Sequence, residues 1–198
     1  MARDKFEVSP SVAKFDVPIA EFFATNPQYT QFITGAYIFS RGSDAANSEP
    51  RVLLLQRASS DDYGGYWEGP GGSCERTDST MLSALAREVF EESGLHVSRV
   101  VDLVALEDWE SGSTTKGITK AVKYCFLVEV YEQVMRPQQG DLDWEQQVKI
   151  VPEEHEQFQW AREEEVREGA EKEEGRFRFC GKEGFNFLKA FEAFRGSD

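Results

Sequence analysis

Residues 69–95 read GPGGSCERTDSTMLSALAREVFEESGL, a glycine-rich loop feeding an amphipathic segment that is crowded with glutamate at its far end. Leu82, Leu85, Ala86 and Val89 recur at the spacing of one helical face. Asp78 stands where an N-cap is wanted, and Gly94 stands where a left-handed residue closes a helix. The pattern predicts a helix over about 79–93. At about 100° per residue, with Val89 at the centre of the apolar face, Glu92 falls about 60° to one side, Glu88 about 100° and Glu91 about 160° on that same side. Three carboxylates thus form a stripe bordering the core.

Glu88 and Glu92 are i,i+4 neighbours, and a like-charge pair at that spacing costs an isolated helix roughly 0.2–0.5 kcal/mol. A cation between them reverses the sign. Hard divalent ions such as Mg²⁺ take oxygen ligands from one or two carboxylates plus substrate phosphates, and glycines such as Gly71 and Gly72 let the backbone approach a bound group closely. The glutamates alone also fit a solvated acidic face on which Arg87 pairs with a neighbouring carboxylate.

Strand patterns lie on either side of this segment. QFITGAYIFS (31–40) and RVLLLQR (51–57) flank a loop rich in breakers, as two paired strands would, and Leu53-Leu54-Leu55 implies burial on both faces. Residues 58–77 read as loop with a short strand at Tyr66–Glu68. HVSRVVDLVALEDW and ITKAVKYCFLVEVY read as two further strands around a loop near 111–117. A polar loop is expected over roughly 132–147, a short strand at Gln157–Trp160 and a charged helix from Arg162 to Glu168. In GFNFLKAFEAF (184–194), Phe185, Leu188, Phe191 and Phe194 are expected to pack on a sheet. Residues 1–30 carry Pro10, Pro18 and Pro27, which discourage a long element, and read as an arm lying over a single domain of residues 31–198.

A chain of 198 residues supports one domain with additions. Its net charge of −14 repels phosphate backbones and anionic headgroups, so nonspecific binding of nucleic acid or membrane is not expected. Between Glu153 and Glu174 ten Glu face three basic residues, half of that excess, which reads most simply as a solvated helix and loop. Cys74, Cys125 and Cys180 show no C-x-x-C spacing and leave one thiol over if two pair, a pattern that favours a reducing compartment. No apolar stretch approaches a membrane span, and the opening MARDKFEVSP lacks the apolar core of a secretory signal. These features give a cytoplasmic or nuclear soluble protein as the expectation.

R-E-V-F-E-E-S-G-L (87–95) resembles the second half of the Nudix box, G-x5-E-x7-R-E-U-x-E-E-x-G-U with U a bulky apolar residue, at every specified position. The first half departs: Ser79 and Ser73 occupy the positions of the Glu and the Gly. One inserted residue would restore Gly72 and place Asp78 where the first Glu belongs. V-L-L-L-Q-R (52–57), W-E-G-P-G-G (67–72) and, more weakly, Glu154-His155 with Trp160 extend the resemblance over about residues 32–165.

The resemblance implies an α/β fold, an α/β/α sandwich with a mixed central sheet flanked by helices. It implies one to three Mg²⁺ or Mn²⁺ ions on Glu88, Glu91 and Glu92, and hydrolysis of a phosphoanhydride in a small organic diphosphate by in-line attack of water. The general base is Glu92, Glu91 or Glu154, since family members differ in where it comes from. Arg57, Lys120 and Lys123 are candidate phosphate contacts by position, and each equally suits a strand-end charge. His155 reads either as a contact to substrate or as a structural histidine, and His96 as packing or solvated. Trp67, Trp109, Trp144, Trp160, Tyr63 and Tyr66 include a stacking platform or serve as core. A Cys74 nucleophile lacks a histidine nearby in sequence.

The residues about fifteen positions beyond the box, Glu110, Ser111 and Gly112, match neither the ADP-ribose nor the dinucleoside polyphosphate pattern of the family. A nucleoside diphosphate derivative leads. Fifteen phenylalanines keep a non-nucleotide substrate such as an isoprenoid diphosphate in view, and the altered loop keeps a catalytically silent binding module in view. An acidic interaction protein without a metal site is a third reading. Monomer and homodimer stand equally open.

Overall fold

Leu53, Leu54 and Leu55 are fully buried, but they do not share a core. Leu53 and Leu55 join one apolar cluster, while Val52 and Leu54 join another on the opposite side. A strand alternates its side chains across a sheet, so an unbroken apolar run is what a central strand covered on both faces requires. The computed structural model, which describes residues 5–41, 49–113, 117–134, 143–172 and 175–197, shows that arrangement.

Among the described residues seven strands form a mixed sheet: β1 (Glu7–Val8), β2 (Gln31–Ser40), β3 (Arg51–Arg57), β4 (Trp67–Glu68), β5 (Val97–Ser113), β6 (Gly117–Val130) and β7 (His155–Arg162). The spatial order is β1-β5-β6-β2-β3-β4, with β7 also paired to β3. β2 runs parallel to β6 from Gln31↔Ala121 to Ile38↔Val128, whereas β3 is antiparallel to β2, β4 and β7. β5 and β6 make a long antiparallel ladder whose pairing extends to Ser113 and Gly117, into the loop expected near 111–117; residues 114–116 lie outside the described residues.

One face is covered by α2 (Met81–Ser93) and by the N-terminal segment, a 3₁₀ turn at Pro10–Phe15 followed by α1 (Ile19–Thr25). No described element in residues 5–30 exceeds seven residues, in keeping with the three prolines. Val12, Phe15, Ile19 and Phe22 are nevertheless buried, and Phe15 and Phe22 meet the ring of Tyr124 edge-on. The other face is covered by α5 (Glu183–Gly196), which packs against α4 (Glu163–Glu171). Phe187 meets Tyr37 edge-on at 4.8 Å, Phe191 meets Phe39 at 4.8 Å, and Phe194 stacks on Phe39 at 4.5 Å.

Three local expectations are corrected. α2 starts at Met81 and its cap is Thr80, whose Oγ accepts from the Ser83 backbone N–H while Ser83 Oγ accepts from the Thr80 N–H; Asp78 is not the cap. Phe185 is exposed and Phe187 takes its place inside, because α5 presents Phe187, Ala190 and Phe191 to the sheet. The polar loop expected over 132–147 opens with α3 (Tyr131–Val134) and closes with a 3₁₀ turn at Trp144–Gln147, with 135–142 outside the described residues. That turn buries Trp144 against Trp160 and Glu145 against Ser40 and Arg51.

Candidate functional site

β3 lies between β4 and β7, pairing Leu55 with Glu68 on one side and Arg57 with His155 on the other. Its end therefore gathers groups from three strands. α2 packs on the same sheet with Val89 buried, which sets Glu92 and Glu88 beside that end. The loop between β4 and α2 closes the arrangement by crossing over β2. Gly71 has a φ of +156°, and a Cβ there would stand 2.2 Å from the Thr34 carbonyl oxygen, so only glycine permits the crossing. A Cβ on Gly72 would stand 2.6 Å from the Glu88 carboxylate.

The Gly71 N–H donates to Glu92 Oε2 at 2.6 Å, fixing a carboxylate that is almost fully buried. Burial pushes the Glu92 carboxyl up to about 8; the Gly71 hydrogen bond opposes the rise, and the charges of Glu68, Glu88 and Glu154 add to it. Burial also raises Glu88, against the pull of Arg87. Glu92, Glu154 and His155 present ligand atoms within 4.8 Å of one another. Glu154 is exposed and His155 is buried. His155 Nε2 lies 3.3 Å from Glu68 Oε1, and His155 Nδ1 has no hydrogen-bond partner. Glu68 stays below the usual carboxylate range: burial would raise it, but the His155 hydrogen bond and the charges of Lys123 and Arg57 outweigh burial.

Arg87 organises the neighbouring part of the site. Its Nε donates to Asp78 Oδ1 and its Nη2 to Asp78 Oδ2, each at 3.0 Å, and Nη2 also donates to the Ser73 carbonyl oxygen at 3.0 Å. Nη1 donates to Glu88 Oε1 at 2.8 Å and to Glu91 Oε2 at 3.0 Å. The Asp78 hydrogen bonds are the largest influence holding the guanidinium protonated. Asp78 thus clamps the arginine of the box from the position that an inserted residue would give the first acidic residue.

The three glutamates of the stripe are therefore not equivalent. Glu92 lies inside the cluster, Glu88 is half-buried beside Gly72, and Glu91 turns a half-exposed carboxylate to Arg87. Arg57 donates to Glu68 and Asp61 and to the Asp62 carbonyl oxygen. Lys123 is largely but not fully buried and pairs with Glu183 at 3.3 Å. Lys120 is exposed and pairs with Glu110 across the hairpin at 2.7 Å. Cys74 is raised to about 12 by burial, leaving a protonated thiol. His96 pairs with Glu132 at 2.7 Å. Glu68 stood unremarked in the sequence although it lies in the quoted W-E-G-P-G-G segment, two residues before Pro70.

A cleft of about 440 Å³ shares Arg57 and Glu68 with the cluster and is lined further by Tyr63, Trp109, Asp108 and Lys123. Tyr63 and Trp109 are exposed, whereas Trp67, Trp144 and Trp160 pack in the two apolar clusters. Among the described residues no helix is long and apolar enough to cross a membrane.

A family model for the NUDIX domain matches residues 35–179. No curated protein matches the chain. Among solved structures, the NUDIX domain of Shewanella oneidensis NrtR complexed with ADP ribose aligns with a TM-score of 0.57 at 15% identity, covering 89% of this chain and 97% of that one. A C. elegans Ap4A hydrolase binary complex aligns at 0.52 and 19%, covering 85% and 100%. A MutT protein from Methanosarcina mazei Go1 aligns at 0.51 and 21%, covering 84% and 93%. At these identities the likeness is one of fold.

Proposed function

The chain belongs to the NUDIX domain family and is a pyrophosphohydrolase acting on phosphorus-containing anhydrides; from that premise we propose that it cleaves a small nucleoside diphosphate derivative in a reaction that depends on Mg²⁺ or Mn²⁺. The observation that carries the metal dependence is the approach of the Glu92 and Glu154 carboxylates, whose ligand atoms lie within 4.8 Å of each other, with the charges of Glu68 and Glu88 acting on the same buried group. A buried carboxylate among others is costly unless a cation joins it, so the donor set fits a divalent ion. Glu92, Glu88 and Glu154 would hold it, with Glu91 at the rim. When bound, such an ion neutralises phosphate charge and makes water a stronger nucleophile.

The protein's own groups do the rest. The Gly71 N–H fixes one oxygen of Glu92, and Arg87 fixes one of Glu88, so the carboxylates are held before substrate arrives. Glu154 is exposed at the edge of the cluster, and its carboxylate oxygen left free of the ion would take a proton from attacking water. Arg57 and Lys123 border the cleft and supply positive charge to the diphosphate, while Lys120 sits in an exposed ion pair on the hairpin.

The lining of the cleft favours a nucleoside over a prenyl chain. Tyr63 and Trp109 offer flat faces, and Glu107 and Asp108 offer acceptors to a base edge that donates hydrogen bonds. The Shewanella domain solved with ADP ribose shares the fold, which is in keeping with that reading. A screen of nucleoside diphosphate sugars, dinucleoside polyphosphates and isoprenoid diphosphates with Mg²⁺ or Mn²⁺ tests it. Phosphoanhydride cleavage that needs the metal and falls about a hundredfold or more in Glu92→Gln is expected, with circular dichroism unchanged. Turnover near wild type in that variant overturns the metal reading, and cleavage confined to isoprenoid diphosphates overturns the nucleoside.

A further inference from the structure

His155 is 2% exposed, yet only one of its ring nitrogens is engaged. Nε2 faces Glu68 Oε1, an oxygen that also accepts from Arg57 Nη1 at 2.6 Å. A carboxylate in that position is an acceptor, so Nε2 carries a proton, and in the neutral ring the lone pair then lies on Nδ1. Nδ1 has no hydrogen-bond partner. Leaving a buried polar atom unsatisfied is costly, and such an atom in a native fold calls for an explanation, of which a bound ion is one.

The surroundings identify the ligand. A ring nitrogen of His155 and carboxylate oxygens of Glu92 and Glu154 lie within 4.8 Å of one another, and no hydrogen bond joins the three side chains. Ligand atoms sharing one ion at about 2.0–2.2 Å stand roughly 3–4.4 Å apart, so these groups are near bridging separation. Behind the imidazole, Glu68 supplies the carboxylate that commonly orients a ligating histidine and sets its tautomer.

The geometry points to His155 as a nitrogen ligand that, with Glu92 and Glu154, forms a mixed N,O site for a divalent transition-metal ion. This inference rests on the metal-dependent reading above and goes beyond it, because an imidazole changes which ion the site selects. An all-oxygen set suits Mg²⁺, and an imidazole moves the preference toward Mn²⁺ and the later first-row ions.

Electron spin echo envelope modulation on the untagged full chain, loaded with one equivalent of Mn²⁺, tests the ligand directly. The chain has two histidines, His96 and His155, so an imidazole signal is assignable. Imidazole ¹⁴N modulation is expected in the wild type and in His96→Gln, and absent in His155→Gln. Calorimetry is expected to show at least a tenfold loss of Mn²⁺ affinity in His155→Gln with less than a threefold change for Mg²⁺. Mn²⁺ that binds the wild type without imidazole ¹⁴N modulation overturns the nitrogen ligand and leaves metal-dependent hydrolysis standing; this result needs no variant to fold. Modulation that survives in His155→Gln also overturns it. Failure of the wild type to bind Mn²⁺ or Mg²⁺ overturns both readings.

Discussion

Asp78 and Arg87 hold each other through two parallel hydrogen bonds, and the same guanidinium reaches Glu88, Glu91 and the Ser73 carbonyl. One planar fork thereby ties the loop to the helix, a task for which a lysine's point charge is poorly shaped. Asp78→Asn is expected to destabilise the fold by about 1–3 kcal/mol in urea titrations, since Arg87 loses an ionised partner. Turnover is expected to fall as well, because Glu88 is then less firmly held. Glu92 gives a second expectation, for chelator-treated protein. Its folded carboxyl titrates near 8, above the unfolded value of about 4.3, so between those limits the folded state binds more protons than the unfolded state. Stability therefore falls as pH rises from about 4.5 to about 8, by an amount on the order of a few kcal/mol. Denaturant titrations of wild type and Glu92→Gln at pH 5.5 and 8.5 should show the fall in the first and a much shallower one in the second.

At the scale of elements, α5 is the lid of the second apolar cluster, and its hold is aromatic. Phe187 is fully buried between Tyr37 and Phe179, so Phe187→Ala is expected to cost about 3–5 kcal/mol, readable as a lowered melting temperature. α5 also carries Glu183, the partner of Lys123 at the cleft, and the same change should weaken substrate binding. The sequence displayed some of these elements better than others. β2, β3 and α2 were legible because their apolar periodicity is strong and glycine or proline marks their ends. Sequence alone leaves the inner face of α5 ambiguous, because Phe185 and Phe187 each complete a helical stripe, and the sheet's shape decides between them. The three glutamates of α2 were legible from one helical turn. The Glu68–His155 pair was not: its members stand 87 positions apart and meet because β4 and β7 flank β3. The residue type of Asp78 suits a helix end, whereas the extra loop residue lets it reach Arg87 nine positions on.

The whole molecule is a sheet that needs both coverings. The N-terminal segment supplies Val12, Phe15, Ile19 and Phe22 to the first cluster, and burial of such side chains contributes roughly 1.5–3 kcal/mol each. Four of them approach the net stability of an ordinary domain, about 5–15 kcal/mol. Removal of residues 1–28 is therefore expected to abolish cooperative thermal unfolding by circular dichroism, although no candidate site residue lies in that segment. A truncated chain that melts within a few degrees of the full chain would show the segment to be dispensable. The net charge of −14 works in the same direction, since self-repulsion destabilises the compact form relative to an expanded one, and added salt relieves it.

The parallel pairing of β2 with β6 also sets an order of events during synthesis. β2 ends at Ser40, and its partner is complete only at Val130, so the central seam of the sheet cannot close until ninety further residues have left the ribosome. His155 and β7 follow later still. α2 can coil early from local contacts, but its carboxylates wait for the long-range pairings that surround them, and such pairings are the slow part of folding. The nascent chain therefore carries its acidic helix exposed before it has a site.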